Sequence, residues 1–133
     1  MVTSAGSRFT TSQGDLLPVL DEIKRRGLMF VDSRATDRTV AGSLAKSIGL
    51  PRAVSDIALD QPQVSRDAID QRLQQLEAQA RQTGTALGLG EVYPVTIERL
   101  ALWIPALERK GIALAPVSAV ADLQPDRAAG SSQ

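Results

Sequence analysis

The segment DLLPVLDEIKRRGLMFVDSR, residues 15–34, decides the fold of this chain. Its apolar side chains first recur at helical spacing, and Gly27 then ends the predicted helix. Four consecutive apolar residues, 28–31, follow and indicate a strand that is covered on both faces. The strand ends at three polar residues, Asp32, Ser33 and Arg34. A helix joined to a buried strand is the building unit of a parallel α/β fold.

The alternation of helix and strand continues along the rest of the chain. A second predicted helix begins near Asp37 and ends at Gly49, and a weaker strand spans residues 53–59 with an interruption at Ser55 and Asp56. Ser65 caps the clearest helix, which ends at Gly84. The later predicted elements are a strand at 85–90, a helix at 97–107 and a strand at 112–117. Because the connections are too long for hairpins, the sequence predicts an α/β fold of alternating βα units with parallel strands.

The helix that follows Ser65 carries opposite charges four residues apart. Side chains at this spacing lie on neighbouring turns of a helix and form ion pairs along its surface. The sequence therefore predicts two ion pairs within this helix, Arg66 with Asp70 and Glu77 with Arg81.

The length and the charge balance limit the kinds of partner. A chain of 133 residues predicts one domain, which we place at residues 1–121, and the small, polar residues 122–133 predict a disordered tail. Lys and Arg together number 15, as do Asp and Glu, so the formal charge is zero. Without a positive excess the chain lacks the field that holds a polyphosphate backbone or an anionic membrane. We expect no nucleic acid partner and no membrane contact.

The sequence shows no targeting segment. Its first residues have neither a basic start nor an apolar core, so no signal peptide is predicted. No apolar run reaches the roughly 18 residues that a membrane span requires. We expect a cytoplasmic protein if the chain is complete as written.

The chain contains neither Cys nor His. This composition excludes a disulfide framework, a thiolate nucleophile, a Ser-His-Asp triad and the usual ligands of catalytic zinc. Any catalysis would depend on carboxylates, Lys, Tyr, Ser or Thr. A bound metal would meet oxygen ligands, which suit magnesium, calcium or manganese better than zinc. We expect no cofactor.

Polar residues follow the predicted strands at the ends where ligands of parallel α/β proteins bind. They are Asp32, Ser33 and Arg34 after the first predicted strand, Asp60 after the second and Glu91 after the third. A carboxylate beside a guanidinium stays ionised and positions a polar substrate or an ion, so Asp32 with Arg34 is the best single candidate. The alternative is that these residues cap turns or lie in solvent. Tyr93 and Trp103 are candidates for stacking on a sugar, although Trp103 fits the core better.

Several segments, in this order, resemble the divergent polysaccharide deacetylase family. The resemblance extends over about residues 6–120, nearly the whole chain. It is carried by the segments Gly6–Thr10, Val19–Arg34, Gly84–Gly90, Trp103–Glu108 and Gly111–Ser118.

The resemblance implies a distorted (β/α) barrel of the polysaccharide deacetylase type. It also implies a bacterial envelope or periplasmic location, because such proteins usually carry an N-terminal membrane anchor. Active relatives in the wider superfamily hold a divalent metal with one Asp and two His, use a further Asp as base, and remove acetyl groups from carbohydrate. By resemblance, Asp56 joins Asp60 and the segment Asp32–Arg34 at acidic motif positions of the family.

The chain departs from the family at the positions that carry the chemistry. It resembles the C-terminal half of the family's domain, whose paired-Asp strand would precede Met1. Ser4 and Glu91 stand where the resemblance places the two metal-binding His residues. Ser is a poor metal ligand, and Glu adds a negative charge in place of a neutral imidazole. We therefore assign no catalytic residue and no metal ligand.

Three functional hypotheses follow from these observations. The leading one is a catalytically degenerate domain, connected with envelope carbohydrate, that binds a polysaccharide or oligosaccharide at the candidate residues. The second is a weak carbohydrate deacetylase that uses magnesium or manganese held by Asp32, Asp60 and Glu91. The third is a structural or interaction half-barrel that forms a homodimer to cover its open edges.

Overall fold

The computed structural model describes residues 2–3, 11–33 and 40–121. The chain divides into two compact units, one formed by residues 1–54 with 117–133 and the other by residues 55–116. Each unit contains short parallel strands and helices. In chain order the elements are β1 (Val2–Thr3), α1 (Gln13–Arg25), β2 (Phe30–Asp32), α2 (Ala41–Ser47), β3 (Arg52–Val54), β4 (Ile57–Ala58), α3 (Arg66–Thr83), β5 (Gly88–Leu89), α4 (Pro94–Leu107), a 3-10 helix (Glu108–Lys110) and α5 (Val117–Val120).

The first unit is built on a three-stranded sheet. Its strand order is β1-β2-β3, and both pairs are parallel, with Val31 opposite Ala53 in the register of β2 and β3. α1 forms where the sequence predicts it, and Gly27 ends the helical segment with a positive φ of 68°. A positive φ is strained for residues with a Cβ, which explains glycine at this position. β2 begins at Phe30, two residues later than predicted, and includes Asp32, while Leu28 is 37% exposed rather than covered.

The core of the first unit lies between its helices and its sheet. α1 and α2 contact each other, and α2 also contacts β2. Burying this apolar surface removes it from water, which is the main favourable contribution to folding. The buried side chains of this core are Leu16, Leu20, Ile23, Phe30, Ala41, Leu44, Ala45 and Leu50.

The second unit pairs β4 with β5 in parallel and packs α3 against both β4 and α4. The Ser65 side chain accepts a hydrogen bond from the backbone N of Ala68, which confirms the predicted cap of α3. Gly84 ends α3 at a φ of 87°. Trp103 is half-buried against the core of this unit, as expected. That core consists of Leu59, Ile69, Leu73 and Leu76.

Two further predicted strands differ in the structure. The strand predicted at 53–59 is divided between two sheets at Ser55–Asp56, where the sequence predicts an interruption, and the backbone N of Asp56 bonds to Leu87 O at 2.7 Å at this point. The segment predicted as a strand at 112–117 pairs with no strand of the described residues, and α5 begins at Val117.

The remaining comparisons concern the ends of helices and the predictions that fall outside the described residues. The predicted helix start near Asp37 lies outside the described residues, and so does the tail at 122–133. The apolar positions predicted for the fourth helix, from Ile97 to Leu107, all lie in α4, which begins at Pro94, where the missing N–H of proline is not needed. In the ranges that the structure describes, no helix combines the length and the apolar character of a membrane span.

Candidate functional site

Asp60 and Glu91 lie at the same edge of the second sheet. Ala58 of β4 is opposite Leu89 of β5, and Asp60 and Glu91 each follow their paired residue by two positions. Parallel strands end on the same side of a sheet, so the register alone places the two acidic residues side by side. The backbone N of Leu59 donates to Leu89 O at 2.8 Å and extends the pairing toward this edge.

Asp60 is the buried centre of this edge, with a relative exposure of 3%. Its Oδ2 atom accepts two hydrogen bonds, one from the backbone N of Glu91 at 2.7 Å and one from Thr96 Oγ1 at 3.0 Å. No described residue donates a hydrogen bond to Asp60 Oδ1. Asp60 therefore fixes the chain that leaves β5, and one of its oxygens remains an acceptor for a further polar group.

Gly90 permits the close approach at this edge. A Cβ placed on Gly90 would lie 3.1 Å from Thr96 Cγ2, 3.4 Å from Leu59 Cδ1 and 3.6 Å from Asp60 Oδ2. The first of these distances is shorter than an ordinary van der Waals contact. The absence of a side chain at Gly90 thus allows Thr96 to reach Asp60.

Two exposed residues, Glu91 and Tyr93, lie in the segment that joins β5 to α4. Glu91 is exposed although its backbone N is held by Asp60. Tyr93 directly precedes α4 and is 44% exposed, so its ring is accessible. The edge of the second unit therefore combines carboxylate acceptors with an aromatic surface.

Asp56 has a structural position in the same unit. Its Oδ2 atom accepts a hydrogen bond from the backbone N of Leu87 at 2.8 Å, while its own backbone N donates to Leu87 O. These two bonds connect the start of β4 with the residue that precedes β5. Asp56 therefore sets the register of the two strands.

Asp32 and Ser33 belong to the first unit. Asp32 is the last residue of β2 and is 2% exposed, and the half-buried Ser33 follows it. Both residues have interaction partners. Arg34, the predicted partner of Asp32, lies outside the described residues. Of the predicted site residues, the structure thus joins Asp60 with Glu91 by a direct hydrogen bond.

Thr96 is a site residue that the sequence reasoning missed. It is 1% exposed and lies in the first turn of α4, where it bonds to a carboxylate 36 residues earlier in the chain. The usable signal was a hydroxyl residue at the start of an apolar helix, two positions after Pro94. The partner could not be inferred, because local spacing does not show which strand end the helix meets.

A comparison with protein-family models identifies the family of the chain. The family model described as "Divergent polysaccharide deacetylase" matches residues 1–121. The chain belongs to the divergent polysaccharide deacetylase family.

A solved structure has a similar fold. It is the crystal structure of an uncharacterized protein from Agrobacterium tumefaciens, which is 32% identical in sequence and has a TM-score of 0.86. The similarity covers 90% of this chain and 48% of the Agrobacterium protein. This member of the deacetylase family therefore spans about half the length of that relative. The search of curated proteins found no match.

The donor atoms of this family member do not fit the metal that the resemblance implies. That metal takes one Asp and two His, and the chain has no His. Among residues 11–33 and 40–121, no three acidic side chains are grouped so that they could hold a metal ion. Asp60 Oδ2 is already engaged by two donors. Ser4, which the resemblance places at one His position, lies outside the described residues.

Proposed function

We propose that this chain is a catalytically degenerate deacetylase-family domain that binds saccharide at the carboxyl ends of its strands. The family resemblance is the basis for assigning it to a distorted (β/α) barrel and to the carbohydrate of the bacterial envelope. The observation that carries the proposal is Glu91, which stands at a His position of the family and whose backbone N is bonded to Asp60.

The replacement of His by Glu changes the chemistry of the edge. A neutral imidazole donates a nitrogen lone pair to a metal and, once protonated, gives a proton to a leaving group near neutral pH. A carboxylate has no nitrogen donor and offers oxygen acceptors in its place. Glu91 therefore supports hydrogen bonding to hydroxyl groups rather than acetyl hydrolysis.

The groups at this edge match the chemistry of a sugar. The exposed Glu91 is an acceptor for sugar hydroxyls, and charged acceptors make stronger hydrogen bonds than neutral ones. The accessible ring of Tyr93 offers an apolar surface to a pyranose face. A polar ligand that also has an apolar face suits this combination.

Titration of the purified chain with an N-acetylglucosamine oligomer tests the binding. We expect saturable binding in the millimolar range that Tyr93→Ala and Glu91→Gln weaken. Val92→Ala and Glu108→Gln are matched controls, because Val92 is an exposed neighbour of the site and Glu108 an exposed Glu on the 3-10 helix. Absence of binding at millimolar oligomer would refute saccharide recognition.

Acetate release tests the loss of catalysis separately. We incubate the chain with N-acetylated and O-acetylated oligosaccharides in the presence of manganese, magnesium or zinc. The proposal predicts no acetate above the rate without protein. Metal-dependent release that Asp60→Ala abolishes would establish the alternative, a weak metal-dependent deacetylase.

A further inference from the structure

The segments that follow β4 and β5 contain two acidic residues and no basic one. Asp60 lies in the segment at 59–65, and Glu91 lies in the segment at 90–93. The register of β4 and β5 places both residues at one edge of the second sheet. α3 and α4 begin after these segments, and a helix N-terminus contributes about half a positive charge. Two carboxylates exceed that contribution, so this edge has an excess of negative charge.

No cationic side chain of the described residues pairs with either carboxylate. The two donors to Asp60 are neutral groups, the backbone amide of Glu91 and the hydroxyl of Thr96. Asp60 Oδ1 accepts no hydrogen bond from a described residue, and the side chain of Glu91 has no hydrogen bond or ion pair with one. A buried charge without an opposite charge is costly and is poorly screened. A cation that a ligand brings to this edge offsets that cost.

The arginines in the first turns of α3 and α4 are engaged by other carboxylates. Arg66 begins α3, and its Nε atom lies 3.1 Å from Glu98 Oε1. Arg99, in the second turn of α4, donates two hydrogen bonds to Asp70, at 2.7 and 2.8 Å. Each guanidinium thus has an acidic partner on the neighbouring helix. The cations of α3 and α4 therefore leave the two carboxylates of the edge without a partner.

We propose that this edge selects saccharides that carry a free amino group in its protonated form, as in glucosamine. This inference rests on the proposed function and specifies the class of its ligand. An ammonium group adds a full positive charge to the hydrogen bonds that the exposed Glu91 accepts. Cations also bind to the face of an accessible aromatic ring, and Tyr93, two residues after Glu91, is 44% exposed. An acetamide or hydroxyl group in place of the amine is neutral and gains neither contribution.

Titration of the chain with three tetrasaccharides tests this proposal. Tetramers of glucosamine, N-acetylglucosamine and glucose with the same linkage differ only in an amine, an acetamide or a hydroxyl group on each sugar. We expect all three to bind, and the glucosamine tetramer to bind about fivefold more tightly than either neutral one. Glu91→Gln should remove this preference, because it removes the charge but keeps the side-chain size and the backbone N that bonds to Asp60.

Glu108→Gln is the matched control, because Glu108 is also an exposed Glu but lies on the 3-10 helix. A preference that Glu108→Gln reduces as much as Glu91→Gln does would arise from the overall charge of the chain and would overturn the proposal. Equal affinity for the three tetramers, or a preference that persists in Glu91→Gln, would also overturn it and would leave the proposed function intact. Binding of none of the three would refute the proposed function and this inference together.

Discussion

Thr96 donates a hydrogen bond to Asp60 Oδ2 at 3.0 Å, and both side chains are almost completely buried. The two residues are 36 positions apart in the chain, so this bond ties the end of β4 to the start of α4. The same Oδ2 atom also accepts a hydrogen bond from the backbone N of Glu91. One carboxylate oxygen thus organises the whole edge at which Glu91 and Tyr93 are exposed.

The first prediction concerns removal of this carboxylate. Asp60→Ala leaves the buried hydroxyl of Thr96 without its partner, which costs about 1–3 kcal/mol of unfolding free energy. Asp60→Asn retains an acceptor oxygen and should lose less. Chemical denaturation measures both values, and hydrogen exchange at the Glu91 amide should accelerate in Asp60→Ala. Equal stability of Asp60→Ala and the unmodified chain would show that the hydrogen bond from Thr96 to Asp60 contributes nothing to the unfolding free energy.

The second prediction concerns pH. Glu77 is 12% exposed. Burial by itself raises the pKa of Glu77, but the hydrogen bonds from Lys110 and Trp103 outweigh burial, and the pKa lies below the ordinary value of 4.5. A folded-state pKa below the unfolded value means that the stabilisation is present above pH 4.5 and is lost as the pH falls below it. Glu77→Gln should therefore flatten the decline of stability in acid.

Glu22 provides the control for this pH experiment. Hydrogen bonds from Arg25 and Arg26 lower its pKa to about 2, but its side chain is 42% exposed on α1. Exposed charges are screened by salt, and buried ones much less. High salt should reduce the effect of Glu22→Gln on acid stability and leave that of Glu77→Gln largely intact. The same salt response for both variants would contradict the role of burial at Glu77.

The third prediction concerns the cap of α3. Ser65 Oγ accepts the backbone N–H of Ala68 at 3.3 Å, which satisfies one of the free donors at the start of the helix. Ser65→Ala should lower the unfolding free energy by about 1 kcal/mol, while Ser65→Asn should preserve it. Ser43→Ala is the control, because that hydroxyl donates to Val40 O and accepts no amide. If Ser65→Asn lowers the unfolding free energy as much as Ser65→Ala does, the side chain at residue 65 does not stabilise α3 by capping it.

The elements that local sequence rules determine were predictable. Gly27, Gly49 and Gly84 all follow helices with a positive φ, and Ser65 caps α3, because these positions depend on backbone conformation within one turn. The ion pairs within α3 were predicted wrongly. Arg66 binds Glu98, Asp70 binds Arg99 and Glu77 binds Lys110, all beyond α3 in the chain. A packed neighbouring helix offers partners that spacing within one helix cannot reveal.

The candidate site was predictable in part, because the ends of strands can be predicted from the local sequence. Because parallel strands end at one edge, the strand ends predicted that Asp32, Asp60 and Glu91 converge. The register of β4 and β5 brings Asp60 and Glu91 together, and Asp32 ends β2 of the other sheet. The bond from Thr96 to Asp60 could not be predicted, because it depends on which strand end α4 meets. The interruption of the strand predicted at 53–59 was predictable, but the bond from Asp56 N to Leu87 O, 31 residues later in the chain, was not. Such long-range contacts are not encoded in apolar periodicity.

The fourth prediction tests the close approach at Gly90. In Gly90→Ala the new Cβ would lie 3.1 Å from Thr96 Cγ2, and Thr96 cannot easily turn away because its hydroxyl is bonded to Asp60. Crowding of this kind costs about 1–3 kcal/mol. Thr96→Ser removes the methyl group but keeps the hydroxyl, so the Gly90→Ala and Thr96→Ser double variant should be more stable than the sum of the single effects predicts. Strictly additive unfolding free energies in this cycle would show that Gly90 and Thr96 do not constrain each other, and the absence of a side chain at residue 90 would then need another cause.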